Sequence, residues 1–248
     1  MGTMYQRGFT IIETMLFLAI TGVLVVAILA GSGVAINQQR YHDSVNSFAS
    51  LLEAQYADVT AVHNDRGATW KCSDTGGLAV SATGGDSRGA SQCDLLGQVV
   101  RSTDGSTVTI DPVIGHNETA ALAATDDVTA LRAMSMQSLG SLDPSQIQSQ
   151  QLEWGAKLVN SDGSPVQFSI LIVKSPLSGT IRTFATSGSS AGTLGLNALV
   201  SDANLRKDLS LCVDPQGLMA TGVGMNGVEL LPGSASSAGV RITGANAC

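Results

Sequence analysis

The chain has 248 residues, 13 basic and 20 acidic, for a formal charge of −7. An acidic chain with no Lys/Arg cluster is poorly suited to neutralising phosphates, which disfavours nucleic acid as a partner. Few aromatics beside abundant Gly, Ser, Thr and Ala suit a loop-rich extracellular β domain, and the 188 residues from Ala61 on suffice for one domain with its own core.

The first predicted element is apolar. From Thr14 to Gln39 there is no Asp, Glu, Lys, Arg or His. Phe9 to Ala30 would form a helix of about 33 Å at ~1.5 Å per residue, close to the ~30 Å hydrocarbon core of a bilayer. Arg7, on the short N-terminal side, orients that end toward the cytoplasm by the positive-inside bias. Glu13 is the anomaly, because a charged residue at the bilayer centre costs roughly 2.5 to 3.5 kcal/mol and is usually functional or paired. If the chain is cut between Gly8 and Phe9, the new α-amine of Phe9 lies in the same layer and can meet Glu13 of a staggered neighbour. At ~4 Å and an effective dielectric near 20, such a pair gains about 4 kcal/mol before desolvation. A secretory signal cleaved after Ile28-Leu29-Ala30 and a plain single-pass anchor are the competing readings; neither accounts for Glu13.

The order Arg7-Gly8-Phe9-Thr10-Ile11-Ile12-Glu13, followed by a long apolar segment, resembles the class III signal of type IV pilins and type II secretion pseudopilins. The resemblance implies that a prepilin peptidase cuts after Gly8, that Phe9 is N-methylated, and that Glu13 docks the subunit into a filament. Loss of Arg7 with the leader leaves 12 basic against 20 acidic residues, a formal charge of −8. Gly22 matches a glycine common in these helices. Ala30 stands where many members carry a helix-loosening proline, and Gly31 and Gly33 are expected to loosen the same stretch. The implied partners are other pilin subunits through the N-terminal helix, the prepilin peptidase, and the cytoplasmic membrane before assembly. A minor pilin or pseudopilin is expected, with a filament-tip adhesin or DNA-uptake module, or a secretion pseudopilin, as the alternatives.

After the membrane run, Tyr41, Val45, Phe48, Leu52, Tyr56 and Val59 recur at steps of 3 and 4, one stripe of a 3.6-period helix. A single helix from Thr10 to Val62 is expected to lay this stripe on the head, with a coiled-coil partner as the alternative. The organisation is therefore a leader at 1–8, a transmembrane half-helix at 9–30, an amphipathic half at 31–62 and an extracytoplasmic β-rich head at 63–248. The fold class is α+β: a long N-terminal helix packed on a C-terminal antiparallel sheet.

Within the head, residues 67–89 read as a loop around Trp70 and Cys72. Asp104-Gly105, between Gln98–Thr103 and Ser106–Ile110, signals a hairpin. Val128, Leu131, Met134, Met136 and Leu139 suggest a short helix. A meander is expected from Gln151–Val159, Val166–Lys174 and Thr180–Thr186, with the middle run central in its sheet because it becomes wholly apolar. A short helix over Asn197–Lys207 and strands at Leu209–Val213, Gly217–Ala220 and Gly239–Ile242 complete the chain. Trp154-Gly155, Cys212 and Gly217 are weakly similar to pieces of H-type pseudopilins and FimT-like minor pilins.

Four cysteines outside the cytoplasm suggest disulfides, and four allow three connectivities. Cys72–Cys93 and Cys212–Cys248 are the expected pairs, with buried free thiols as the alternative. His42, His63 and His116 stand in no H-x-x-x-H or H-E-x-x-H spacing, so no metal site is expected, and no cofactor. His42 and His63 read as helix-surface residues. Asp104-Gly105 and Asp162-Gly163 are turns rather than calcium loops. Asn117-Glu118-Thr119 fits a glycosylation sequon. No nucleophile elbow or phosphate loop appears, so catalysis is not expected and no residue is assigned to it.

Overall fold

The computed structural model describes residues 10–61, 70–72, 78–81, 84–86, 93–116, 119–217, 224–244 and 248. Helix α1 (Ile11–Thr60) runs for 50 residues, about 75 Å at ~1.5 Å per residue. It passes through Gly31 and Gly33 without a break, so the expected loosening there is not seen. Neither glycine meets a neighbour within 4 Å, and intact backbone hydrogen bonding holds the helix together. The helix ends at Ala61, which turns to an extended conformation.

The strands are β1 (Trp70–Cys72), β2 (Leu78–Val80), β3 (Cys93–Ser102), β4 (Thr107–His116), β5 (Ser135–Ser138), β6 (Gln148–Gln151), β7 (Lys157–Val159), β8 (Phe168–Lys174), β9 (Ile181–Ser187), β10 (Leu209–Asp214), β11 (Gly227–Leu230) and β12 (Val240–Thr243). Among the described residues all pairings are antiparallel. The main sheet has the order β5-β4-β3-β8-β9, with β6 also pairing β4; a second sheet runs β12-β11-β10-β7, and β1 pairs β2. Short helices α2 (Thr119–Leu122), α3 (Asp127–Ala133), α4 (Leu196–Leu199) and α5 (Asp202–Leu205) lie between strands.

The main sheet is covered on both faces. Tyr41, Val45, Phe48, Leu52 and Tyr56 of α1 pack with Val100, Phe168, Ile170 and Ile172 and with Leu211, Val213 and Val228 of the second sheet. On the other face Val99, Val113, Leu171, Val173 and Phe184 meet Val128 and Leu131 of α3 and Leu196 and Leu199 of α4. Strand β8 lies between β3 and β9 with six of its seven residues buried, and this double cover explains its unbroken apolar run. The α1 stripe therefore seats on the head of its own chain. Tyr41 ties it to the second sheet by donating to the Val213 carbonyl at 3.0 Å. Tyr56 ties it to the main sheet through the Thr183 hydroxyl at 3.0 Å, which donates on to the Ser234 carbonyl.

The Asp104-Gly105 hairpin forms as expected but with ten-residue arms. Gly105 takes φ 73°, and the Asp104 carboxylate accepts the N–H groups of Ser106 and Thr107, each at 2.9 Å. Pro112 is tolerated inside β4 because β6 pairs residues 107–110 and β5 pairs 113–116; the missing N–H falls between them.

Several expectations differ. Residues 67–89, expected as a loop, contain the β1–β2 hairpin. Gln151–Val159 is not one strand: Trp154 (φ 58°) and Gly155 (φ 72°) turn the chain, leaving β6 in the main sheet and β7 in the second. Of the expected apolar helix, only Val128 and Leu131 are helical; Met136 lies in β5 and Leu139 in a 3₁₀ turn. The expected helix at 197–207 is two single turns, α4 and α5, each started afresh by Gly195 and Ser201. Strand β11 was not expected. Of the strand expected at 217–220 only Gly217 is described, and it sits in a turn at φ 86°.

Candidate functional site

The exposed half of α1 and its N-terminal tip are the feature the head does not explain. No residue from Thr10 to Arg40 is buried, and Ile11, Ile12, Met15, Leu16, Phe17 and Leu18 are each more than 60% exposed. Among the described residues α1 is the one helix long and apolar enough to cross a membrane. The hydroxyls within its apolar run are satisfied internally: Thr14, Thr21 and Ser32 donate to the carbonyls of Ile11, Phe17 and Leu29, each at 2.9 Å. That removes the cost of unpaired hydroxyls in an apolar medium.

At the tip Thr10 is the N-cap. Its hydroxyl accepts the Glu13 N–H at 3.3 Å, and the Glu13 carboxylate accepts the Thr10 N–H at 3.5 Å. This reciprocal arrangement is a capping box, with the acid also complementing the positive end of the helix dipole. Thr10 as a partner of Glu13 was missed in the sequence, although Thr-x-x-Glu ahead of an apolar run is the signature of this cap. Gly8 and Phe9 lie outside the described residues, as do His63 and the Asn117-Glu118 part of the sequon.

Residues 3–29 match the family described as prokaryotic N-terminal methylation motif. The chain carries a class III prepilin signal. This signal is the one borne by type IV pilins and pseudopilins, and it is a structural motif rather than an enzyme signature. The match ends inside the apolar half of α1. No curated protein and no solved structure matches the chain, so the head stands on its own geometry.

In the head, the perturbed acids serve structure. Hydrogen bonds from the backbone of Thr107 and the Ser106 hydroxyl hold the Asp104 carboxyl below its ordinary range. Asp126, the N-cap of α3, is lowered by Thr129, and Asp143 and Asp162 by the hydroxyl and N–H of Ser145 and of Ser164. Burial alone would raise Asp127, but the Ser175 hydroxyl at 2.6 Å and two Arg182 donors at 2.6 and 2.8 Å bring it below the usual value. These are caps, turns and one ion pair. His42 is exposed on α1.

The cysteines form Cys72–Cys93, with Cα atoms 5.8 Å apart, and Cys212–Cys248, at 5.6 Å. The first pair brings in His116, a residue to which the sequence assigned no role. Beyond a bulge between Leu95 and Gly97, β3 places Cys93 directly opposite His116 of β4. His116 is buried, with Nδ1 3.9 Å from Cys72 Sγ. Counted regularly from the hairpin turn, the residue facing Cys93 would be Asn117; the extra residue of the bulge brings His116 there instead.

Proposed function

We propose that the chain is a minor pilin or pseudopilin, a structural subunit of a type IV pilus-like filament. A prepilin peptidase removes residues 1–8 after Gly8 and the amine of Phe9 is methylated. Residues 9–30 then hold the subunit in the cytoplasmic membrane, 31–62 carry the head, and 63–248 stand outside the cytoplasm. Assembly transfers the apolar half-helix from lipid into a bundle of sister helices. The reading assigns no catalysis and no cofactor.

The observation that carries it is Glu13, an acid at the tip of an exposed apolar helix and inside the prepilin signal that spans residues 3–29. Two partners compete for its carboxylate. Its own cap on Thr10 contributes about 1 kcal/mol, whereas a neighbour's free amine at ~4 Å in an intermediate dielectric contributes about 4 kcal/mol before desolvation. Where the pair keeps more than about 1 kcal/mol of that gain after desolvation, it draws Glu13 out of the box on assembly, and the cap is its resting position in the stored subunit.

Mass spectrometry of the mature protein tests the processing: the expected N-terminus is a methylated Phe9, and a chain that keeps residues 1–8 or starts at Gly31 overturns the reading. Glu13→Gln keeps the side-chain shape and removes the charge. This variant is expected to enter the membrane normally and to be lost from filaments by at least about tenfold; wild-type incorporation would remove Glu13 from the docking role.

A further inference from the structure

The corner that joins β1 to the bulged end of the β3–β4 hairpin holds more than a cross-link. Three soft or borderline donors from three strands converge there: Cys72 of β1, Cys93 of β3 and His116 of β4, with Cys72 Sγ, Cys93 Sγ and a ring nitrogen of His116 all within 4.8 Å of one another. A tetrahedral zinc ion with Zn–S of ~2.3 Å and Zn–N of ~2.0 Å separates its ligand atoms by about 3.3 to 3.8 Å. The Cys72 Sγ to His116 Nδ1 distance of 3.9 Å already lies near that span. The two sulfurs, bonded in the oxidised form, reach it by side-chain rotation once the bond between them is broken.

The surroundings favour an ion once the thiols are free. Cys72 and His116 are buried, and Trp70, Ile114 and Leu139 form an apolar wall with Cys93 and Leu142 packed against it. Such a wall strengthens charge interactions and limits solvent access. The backbone on which Cys72 sits is pinned, since its N–H donates to Asp86 Oδ2 at 2.8 Å. The imidazole arrives through a bulge, a device that re-aims a side chain at a chosen position.

We propose that in its dithiol form this corner is a zinc site, with Cys72 Sγ, Cys93 Sγ and His116 Nδ1 as three ligands and a water as the fourth. The disulfide and the metal are alternative occupants of one place. A trialkylphosphine reductant supplies the chemistry in vitro: phosphorus takes up the oxygen of one water and becomes the phosphine oxide, the S–S bond takes the electron pair, and two thiols result. Zinc then displaces two protons to solvent as both thiolates bind, and neutral His116 donates its Nδ1 lone pair. Oxidation of the pair by a disulfide-bearing oxidant reverses the sequence and expels the ion. A subunit not yet oxidised would thereby have its β1–β3 cross-link held by metal before it is held covalently.

The test uses the full chain in detergent micelles, reduced with a phosphine and titrated with Co²⁺ as a spectroscopic stand-in for Zn²⁺. The expected result is one tightly bound ion showing tetrahedral visible bands and thiolate-to-cobalt charge transfer, both bleached by Zn²⁺ and absent from the oxidised protein. Cys72→Ser/Cys93→Ser, which retains the late cysteine pair, is expected to lose that ion, and His116→Gln to weaken it by at least about tenfold. Re-formation of the Cys72–Cys93 bond in oxidised His116→Gln, read by peptide mapping, shows that the corner still folds. No thiolate-bound ion in the reduced wild type, undiminished binding in the double-serine variant, or unchanged affinity in a His116→Gln chain that re-forms its disulfide would each overturn the proposal.

Discussion

At the scale of single residues, the head depends on a few side chains whose partners come from distant parts of the chain. Asp127 is the clearest. It is buried at the start of α3, yet its charge is met by Ser175 and by Arg182 on β9. Its folded carboxyl lies below the ordinary value near ~3.9. The stabilisation is therefore fully present above that ordinary value and is lost as pH falls through the depressed one. Arg182 is about a third exposed, so solvent screens the pair and the contribution is about 1 to 2 kcal/mol. Urea unfolding of Asp127→Asn in micelles should show this deficit at pH 7, with the difference from wild type closing below about pH 4. A deficit that persists at lower pH would mean that packing, not charge, is what the substitution removes. Neither Ser175 nor Arg182 has a sequence relation to Asp127 that would reveal the contact. The Thr10–Glu13 cap, by contrast, was written in four consecutive residues and needed only to be read as a cap.

At the scale of elements, periodicity made legible what is local. The α1 stripe, the Asp104-Gly105 hairpin and the buried run of β8 each announce themselves by spacing, because burial on one face or two dictates which positions are apolar. Exchange between sheets was not legible: the same 151–159 run that looks continuous is split by a turn at Trp154, where a non-glycine residue takes positive φ. That turn sets the Trp154 ring over the Arg40 guanidinium of α1, 4.8 Å from the ring centroid, a cation–π contact that spacing does not encode. The bulge in β3 was equally hidden, and with it the facing of Cys93 and His116. At the edge of that bulge Gly97 lies so close to β8 that a Cβ on it would stand 2.0 Å from the Ile172 carbonyl oxygen. Gly97→Ala must push β3 off β8 and should cost about 1 to 3 kcal/mol. A thermal melt in micelles is the check, with a Tm at least about 2 °C lower expected and an unchanged Tm refuting the close approach.

At the scale of the whole molecule, helix and head share one core. Tyr41, Val45, Phe48, Leu52 and Tyr56 are each at most 3% exposed, and five such side chains at about 1.5 to 3 kcal/mol each rival the ~5 to 15 kcal/mol by which a domain is stable. A chain beginning at Gln38 should therefore be soluble and folded, whereas one beginning at Ala61 should expose the face of the main sheet and aggregate. Size-exclusion chromatography and far-UV circular dichroism of the two truncations separate these outcomes; a folded monomer from Ala61 would show that the helix is an accessory to the head. The two halves of α1 thus answer to different surroundings, one to the head and one to whatever bundle or bilayer encloses it.

Because α1 is continuous from Ile11 to Thr60, the direction in which the head points is geared to the angular setting of the apolar segment below it. One residue added between Ala30 and Arg40 would swing the head about 100° around the shaft and raise it by ~1.5 Å, while seven would return it to within about 20° of its bearing and lift it by ~10.5 Å. Insertions of one and of seven residues therefore part company: the first turns a different flank of the head to a given side of the shaft, and the second keeps the same flank there on a longer stalk.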